Sequence, residues 1–373
     1  MKFIDLKSQY EQIKDKVNIE IANVLEQGDY IMGEQVKTLE ERLEKYTSSK
    51  HCLTCSSGTD ALLMCLIAIG AGAGDAVFTT SFSFFATAEV ISLCGATPIF
   101  VDINPDSFNI DPYCLRYAIK RVIAQTNLKP KAVIAVDIFG SPCDHIQLDE
   151  ICQQYGVSYI VDAAQSFGSS QNGIKTGCFG RFTTTSFFPS KPLGCYGDGG
   201  AVFCASDSDA ELIDSIRVHG KGKDKYDNVR IGLNARLDTI QAAVLHCKLD
   251  SFDYELELRK KIAGIYNKML GQAVKLQKLL PNSESAYALF TIELKNSEER
   301  ETVRQALLDN NIPSAIYYSM PLNKQKAFGH LSHSIMPNAE HLSETCLSLP
   351  MHPYLKEDDA KTVCQVILNS INS

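Results

Sequence analysis

The sequence predicts an α/β fold, with a large domain built on a mostly parallel seven-stranded sheet and a smaller C-terminal α+β domain. Three observations lead there. Seven short apolar runs between residues 50 and 205 alternate with stretches of helical period, the pattern of a parallel sheet covered by helices on both faces. The chain has 373 residues, more than the roughly 250 to 300 at which one hydrophobic core stops growing. A helical pattern rich in Leu, Lys and Glu over 236–270 reads as a connector to a second unit, which sets the expected domains at 1–248 and 249–373.

Taken in order, residues 6–27 and 34–49 read as two polar-faced helices separated by Gly28-Asp29-Tyr30 and Gly33, packed on the main domain or on a second subunit. The strand runs follow at 51–55, 76–79, 98–101, 132–138, 157–161, 183–187 and 200–204. Between them Leu62, Leu66 and Ile69 share one helical face, as do Leu148, Ile151 and Cys152 ahead of the stop at Gly156. Beyond the connector come a strand pattern near 286–294, a helix near 298–310 and a last helix near 356–370. Ligands of parallel sheets sit beyond the carboxyl ends of the strands, so the chemistry is sought there.

Composition narrows the function classes. Charged residues are 21% and hydrophobic ones 45%, values of an ordinary globular chain without extensive disorder. The formal charge of -8, with no long basic tract, gives no nucleic-acid or anionic-membrane footprint. The N-terminus lacks the apolar core of a signal peptide and no stretch reaches 18 apolar residues, so a cytoplasmic protein is expected. Thirteen scattered cysteines, an odd number, fit reduced thiols. Cys52 and Cys55 form a C-x-x-C pair, but three residues along a strand place them on opposite faces, and no second pair completes a metal site.

Four segments at strand ends carry chemistry. Ser56-Ser57-Gly58-Thr59-Asp60-Ala61-Leu62 follows a strand and opens a helix, where backbone N–H groups and the helix dipole bind an anion; a small-residue cap is the bland alternative. Asp162 closes an apolar run, from which its carboxylate can bond a protonated pyridine nitrogen, with Gln165 within reach of the ring. Capping the next helix is the alternative for Asp162 if no cofactor lysine exists. Such a lysine is Lys191, in Ser186-Phe187-Phe188-Pro189-Ser190-Lys191-Pro192-Leu193-Gly194, an apolar setting that depresses an amine and suits imine formation. Gly197-Asp198-Gly199-Gly200 then returns the chain into the strand at 200–204. In Thr80-Ser81-Phe82-Ser83-Phe84-Phe85-Ala86-Thr87, either Phe84 or Phe85 offers a face for a flat ring, the other phenylalanines being core.

The ordered set SSGTDAL, TSFSFFATAEVI, VDAAQSFG, SFFPSKPLG, GDGGAV, IGLNARLDTIQAA and LPMHPYL resembles the DegT/StrS family of pyridoxal-phosphate (PLP) dependent nucleotide-sugar aminotransferases, of the PLP-dependent transferase fold type I, over residues 3 to 370. The resemblance implies Lys191 as the Schiff-base lysine, Asp162 on the pyridine nitrogen, Gln165 near the ring hydroxyl and Phe84 stacked on the ring. It implies that Gly58, Thr59 and Ser186 bind the phosphate, beside the hydroxyl donor that Ser57 offers at the helix start, and that Asn234 reaches the phosphate of the partner subunit, so that a homodimer shares its active sites.

The segment 221–232 with Asn234 and Arg236, together with Ile316-Tyr317-Tyr318 and Pro321-Leu322, is similar to the WbpE-type branch, which aminates a 3-keto UDP-N-acetylglucosaminuronic acid with glutamate for surface polysaccharide or glycan synthesis, lipopolysaccharide O-antigen among them. Lys221, Tyr226, Arg230, Arg236, Tyr317 and Tyr318 are the expected substrate contacts, the basic ones facing diphosphate and carboxylate; a solvated charged loop is the alternative. The competing functions are amination of another keto position or of a dTDP sugar, a sugar dehydratase, a cysteine desulfurase, and a PLP-binding regulatory protein without turnover. The dehydratase branch resembles histidine at the position of Lys191, and the desulfurase would want an imidazole where Phe84 stands.

Overall fold

The computed structural model describes residues 1–224, 226–331 and 335–372. The seven apolar runs pair into one sheet of β1 (His51–Cys55), β2 (Asp75–Thr80), β3 (Thr97–Val101), β4 (Lys129–Val136), β5 (Ser158–Asp162), β6 (Phe182–Ser186) and β7 (Gly200–Cys204), in the order β1-β7-β6-β5-β4-β2-β3. Neighbours from β6 across to β3 are parallel, and β7 runs antiparallel to both β6 and β1. Every strand except β7 therefore ends at the same edge, and β7 begins there, with Gly200 paired to both Ser186 and Cys55.

Two polar-faced helices, α1 (Leu6–Gln27) and α2 (Glu34–Thr47), precede the sheet; α3 (Gly58–Ala68), α4 (Ala86–Leu93), α5 (Pro112–Gln125), α6 (His145–Tyr155) and α7 (Asp207–Arg217) cover it. Side chains alternate across a strand. Ile134 and Ile160 thus join α3, α4 and α7 on one face, while Val133 and Val161 join α5 and α6 on the other. Cys52 and Cys55 lie in separate cores on opposite faces, and burial pushes both thiols up, Cys55 to about 12.

The expected continuous helix over 236–270 is two helices, α8 (Thr239–Leu249) and α9 (Phe252–Leu270). At the break the Ser251 N–H and hydroxyl both turn back to the carbonyl of Lys248, at 3.2 and 3.3 Å. Asp250 is pulled toward α1 and α2 by ion pairs with Lys16 and Arg42. α8 stays against α1 and α2, and α9 crosses to a second apolar core. That core holds Ile262, Tyr266, Ile292, Val303, Leu347 and Val363. It is built on a three-stranded antiparallel sheet of β8 (Lys275–Leu276), β9 (Phe290–Glu293) and β10 (Cys346–Leu349), with α10 (Ser297–Asp309), α11 (Pro337–Thr345) and α12 (Glu357–Ile371). The N-terminal residues lie against this second unit, where the Met351 N–H donates to the Phe3 carbonyl at 3.2 Å. No helix among the described residues is long and apolar enough to cross a membrane.

Candidate active site

The strand ends converge on a cavity of about 450 Å³. One end is an anion cradle. Ser57, in extended backbone, caps α3, and its hydroxyl accepts the Asp60 N–H at 3.0 Å. Gly58, the first residue of α3, packs so closely on β6 that a Cβ there would stand 2.7 Å from the Cβ of Ser186. Gly200 is equally confined, since a Cβ would meet the Ser57 carbonyl at 2.5 Å. The two glycines let the N-terminus of α3 sit directly over the ends of β6 and β7. Ser57, Gly58, Thr59 and Ser186 then line the same cavity, at a helix N-terminus whose first N–H groups lack intrahelical partners.

Lys191 and Asp162 line the same cavity. Lys191 lies in the loop between β6 and β7, where its N–H donates to the Phe188 carbonyl at 2.8 Å and the Cys195 N–H to the Phe187 carbonyl at 2.7 Å. Gly194 permits that loop, because a Cβ would clash with the carbonyls of Phe188 and Pro189, both at 2.6 Å. Lys191 is half-buried by surface area, its open side being the cavity. The surrounding protein depresses its amine below the ordinary lysine range, against the attraction of Asp162. Asp162, 6% exposed, accepts the Thr87 hydroxyl at 2.9 Å and the Ala164 N–H at 3.1 Å. Burial raises its pKa, against those two bonds and Lys191. The alternative of a helix cap does not describe Asp162, since the residues after it form turns.

Phe84 and Phe85 divide as one face and one core residue. Phe84, 59% exposed, lines the cavity, Phe85 packs on Phe328 at 5.3 Å between ring centroids, and Phe82 is wholly buried. Gln165 is locked at both ends, its carbonyl accepting the Phe139 N–H at 2.7 Å and its amide donating to the Tyr318 hydroxyl at 3.1 Å. Tyr317 and Tyr318 complete the wall from the second unit, with Ala288 and Leu289.

Of the residues singled out from sequence, Ser57, Gly58, Thr59, Phe84, Asp162, Gln165, Ser186, Lys191, Tyr317 and Tyr318 meet in this cavity. Lys221, Tyr226, Arg230, Asn234 and Arg236 do not line it within their own chain, and Lys221, Tyr226, Arg230 and Asn234 are exposed. Arg236 donates to the side-chain amide oxygen Oδ1 of Asn234, and Lys225, part of the same charged segment, lies outside the described residues. The cavity also takes in Ile4, Thr87, Ser190 and Asp198. Thr87 and Asp198 lie inside the segments that drew attention to Phe84 and Gly200; nothing in the local sequence marks Ile4.

Comparison with known proteins agrees with this arrangement. The chain matches the DegT/DnrJ/EryC1/StrS aminotransferase family over residues 11–368. It is 41% identical, over 99% of its length and 100% of the relative, to a UDP-2-acetamido-2-deoxy-3-oxo-D-glucuronate aminotransferase of Pseudomonas aeruginosa. A pleiotropic regulatory protein of Geobacillus stearothermophilus is 38% identical, over 98% of this chain and 96% of that one. A crystal structure of a DegT DnrJ EryC1 StrS aminotransferase from Brucella abortus superposes with a TM-score of 0.96 at 45% identity, covering 99% of both chains. The chain belongs to the DegT/DnrJ/EryC1/StrS aminotransferase family.

Proposed function

We propose that this member of the family is a PLP-dependent aminotransferase that moves the amino group of glutamate onto the 3-keto group of a UDP-N-acetylhexosaminuronic acid. The observation that carries the reading is that Lys191 and Asp162 line one cavity with an anion cradle and an open aromatic face. Pyridoxal phosphate fits that set. Its phosphate suits the N-terminus of α3 with Ser57, Gly58, Thr59 and Ser186, and its ring the face of Phe84 beside Gln165. Burial opposes charge on both Asp162 and Lys191; a cationic ring nitrogen at Asp162 and an imine at Lys191 would relieve both.

Bound there, the cofactor supplies an aldehyde that takes up an amino group and a ring that takes up an electron pair. The chain supplies the rest. Lys191 Nζ, its neutral form favoured by burial, would hold the group and, as a free amine, would serve as the base that moves a proton from the donor carbon. The Asp162 carboxylate, oriented by Thr87 and Ala164, holds a proton on the pyridine nitrogen. Tyr318, fixed by Gln165, closes the substrate side. Asn234, Arg236 and the exposed Lys221, Tyr226 and Arg230 enter the site of a second copy in this reading, the last four meeting the diphosphate and carboxylate. A cytoplasmic homodimer working in surface glycan synthesis belongs to the same proposal. A regulatory role without turnover is disfavoured, because Lys191 and Asp162 are both in place.

The test loads the protein with pyridoxamine phosphate and offers a panel of keto nucleotide sugars, following the return of visible absorbance. The 3-keto UDP-uronate is expected to restore it fastest. A faster response to another ring position or nucleotide would reassign the substrate, and no response to any sugar would remove the reading.

A further inference from the structure

Gln165 and Tyr318 carry more hydrogens than the protein around them has acceptors for. The Gln165 side chain is 6% exposed and lines the reaction cavity. Its carbonyl accepts the Phe139 N–H at 2.7 Å, and this fixes the amide, because the reversed orientation would set one donor against another. Phe139 is itself held with φ at 62°, in the left-handed region that a bulky residue enters only at a cost. Its carbonyl accepts the Leu289 N–H at 3.3 Å, so the turn that orients Gln165 is tied to the second unit.

The amide nitrogen of Gln165 therefore faces the Tyr318 hydroxyl, 3.1 Å away, and donates to its oxygen. A phenol has one proton. With its oxygen already accepting from Gln165, Tyr318 has an O–H left to give, and no acceptor for it stands among the described residues. The second N–H of the Gln165 amide has none there either. Burial, against the Gln165 bond and with Asp162 adding to it, pushes the Tyr318 hydroxyl well above the ordinary tyrosine range, so it keeps its proton. Edge-on packing of the ring against Phe82 at 5.8 Å and Tyr317 at 5.7 Å holds it in place.

Two unused hydrogens, on heavy atoms 3.1 Å apart in one cavity wall, make a donor pair for a single oxygen, and an anionic oxygen suits such a pair best. The ring oxygen of pyridoxal phosphate is an atom of that kind. It stands meta to the ring nitrogen that Asp162 takes in the proposed function, and Asp162 is near enough to Tyr318 to act on its hydroxyl. We propose that Tyr318 is a cofactor-binding residue, its hydroxyl donating to the ring oxygen of pyridoxal phosphate beside the Gln165 amide. This role rests on the cofactor assignment of the proposed function. A donor on that oxygen stabilises its anionic form.

Equilibrium dialysis of the full, cofactor-free chain would compare pyridoxal phosphate with its 3-deoxy analogue, which lacks the ring oxygen, in wild type and in Tyr318→Phe. The variant keeps the aromatic ring and loses only the hydroxyl. Its affinity for pyridoxal phosphate should fall by roughly 10- to 150-fold, the range for a hydrogen bond to a charged group, while its affinity for the 3-deoxy analogue stays at the wild-type value. Equal losses for the two ligands would make the hydroxyl a structural group and overturn the proposal. Unchanged affinity for pyridoxal phosphate overturns it too, whether or not the KM for the keto sugar rises. If Tyr318→Phe does not fold, Tyr318→Met, flexible enough to fill the space without a hydroxyl, is measured in its place. A wild-type chain that takes up neither ligand would fail at the proposed function itself, whereas either overturning pattern fails at Tyr318 alone.

Discussion

Gly58→Ala puts a number on the anion cradle. The new Cβ would stand 2.7 Å from the Cβ of Ser186, roughly 0.8 Å inside the contact distance of two carbons. The atom it meets is next to the backbone at the end of β6, so relief requires α3 and β6 to part. Overpacking of this kind costs about 1 to 3 kcal/mol. Parting them also withdraws the helix N–H groups from the phosphate, so affinity for pyridoxal phosphate should fall by roughly 5- to 150-fold over the same energy range. The assay is an absorbance titration of cofactor-free protein with pyridoxal phosphate and with pyridoxal, beside urea melts. Phosphate-free pyridoxal should lose much less. Adding Ser186→Gly removes the clashing atom and should recover most of the stability, but less of the affinity, because the Ser186 hydroxyl goes with it. Equal losses for the two ligands would refute the phosphate role of Gly58. A stable Gly58→Ala protein would refute the clash.

Four further outcomes are expected. Borohydride treatment of the yellow holoprotein should fix the cofactor on the Lys191 peptide, and Lys191→Ala should still bind cofactor and substrate without turning over; an adduct on another peptide removes the assignment. Burial raises the Asp162 pKa, so its contribution to the cofactor-free fold is present at acid pH and lost as pH rises through the folded value; Asp162→Asn should therefore be at least as stable at neutral pH by urea melts, yet slow in proton transfer, and a near-normal single-turnover rate would reduce the carboxylate to a structural group. An inactive Lys191→Ala chain exchanged with an inactive Asn234→Ala chain should regain activity toward half of wild type per dimer if sites are shared, because one site then carries neither lesion; no recovery after verified exchange means Asn234 serves its own chain. Lys248, 2% exposed with no hydrogen bond on Nζ among the described residues, is pushed down from 10.5 to about 8 by burial, so stability is lost as pH falls from about 10.5 to about 8; Lys248→Met should gain about 3 kcal/mol at pH 7, the gain fading near pH 10, which pH-dependent melts would show or deny.

The strands were legible because each is an apolar run, and Lys191, Asp162 and Ser57 because each stands where such a run stops. Their convergence follows from parallel pairing alone. Thr87 was not singled out, although it lies three residues from Phe84, since its hydroxyl acquires a meaning only when α4 meets β5, 75 positions away. The break between α8 and α9 was hidden for a similar reason. The helical pattern runs on through 250, and the pull on Asp250 comes from Lys16 and Arg42, on helices more than two hundred residues earlier. Ile4 had no signal, because its place depends on the N-terminus returning to Met351.

The cavity is assembled from two units, and an apolar core common to both joins it as one cooperative object. The cradle, Lys191 and Asp162 belong to the seven-stranded sheet, whereas Ala288, Leu289, Tyr317 and Tyr318 come from the later part of the chain. Leu289, Tyr317 and Tyr318 nevertheless pack on a core that holds Phe82, Val136 and Phe139 together with Leu322, Phe328 and Leu342. The Gln165–Tyr318 hydrogen bond spans the same seam, as does the Leu322 N–H donated to the Ser81 carbonyl at 2.7 Å. In native-state hydrogen exchange the two ends of one active site would then report similar opening energies, so loss of the substrate wall should be accompanied by loss of the cofactor's colour.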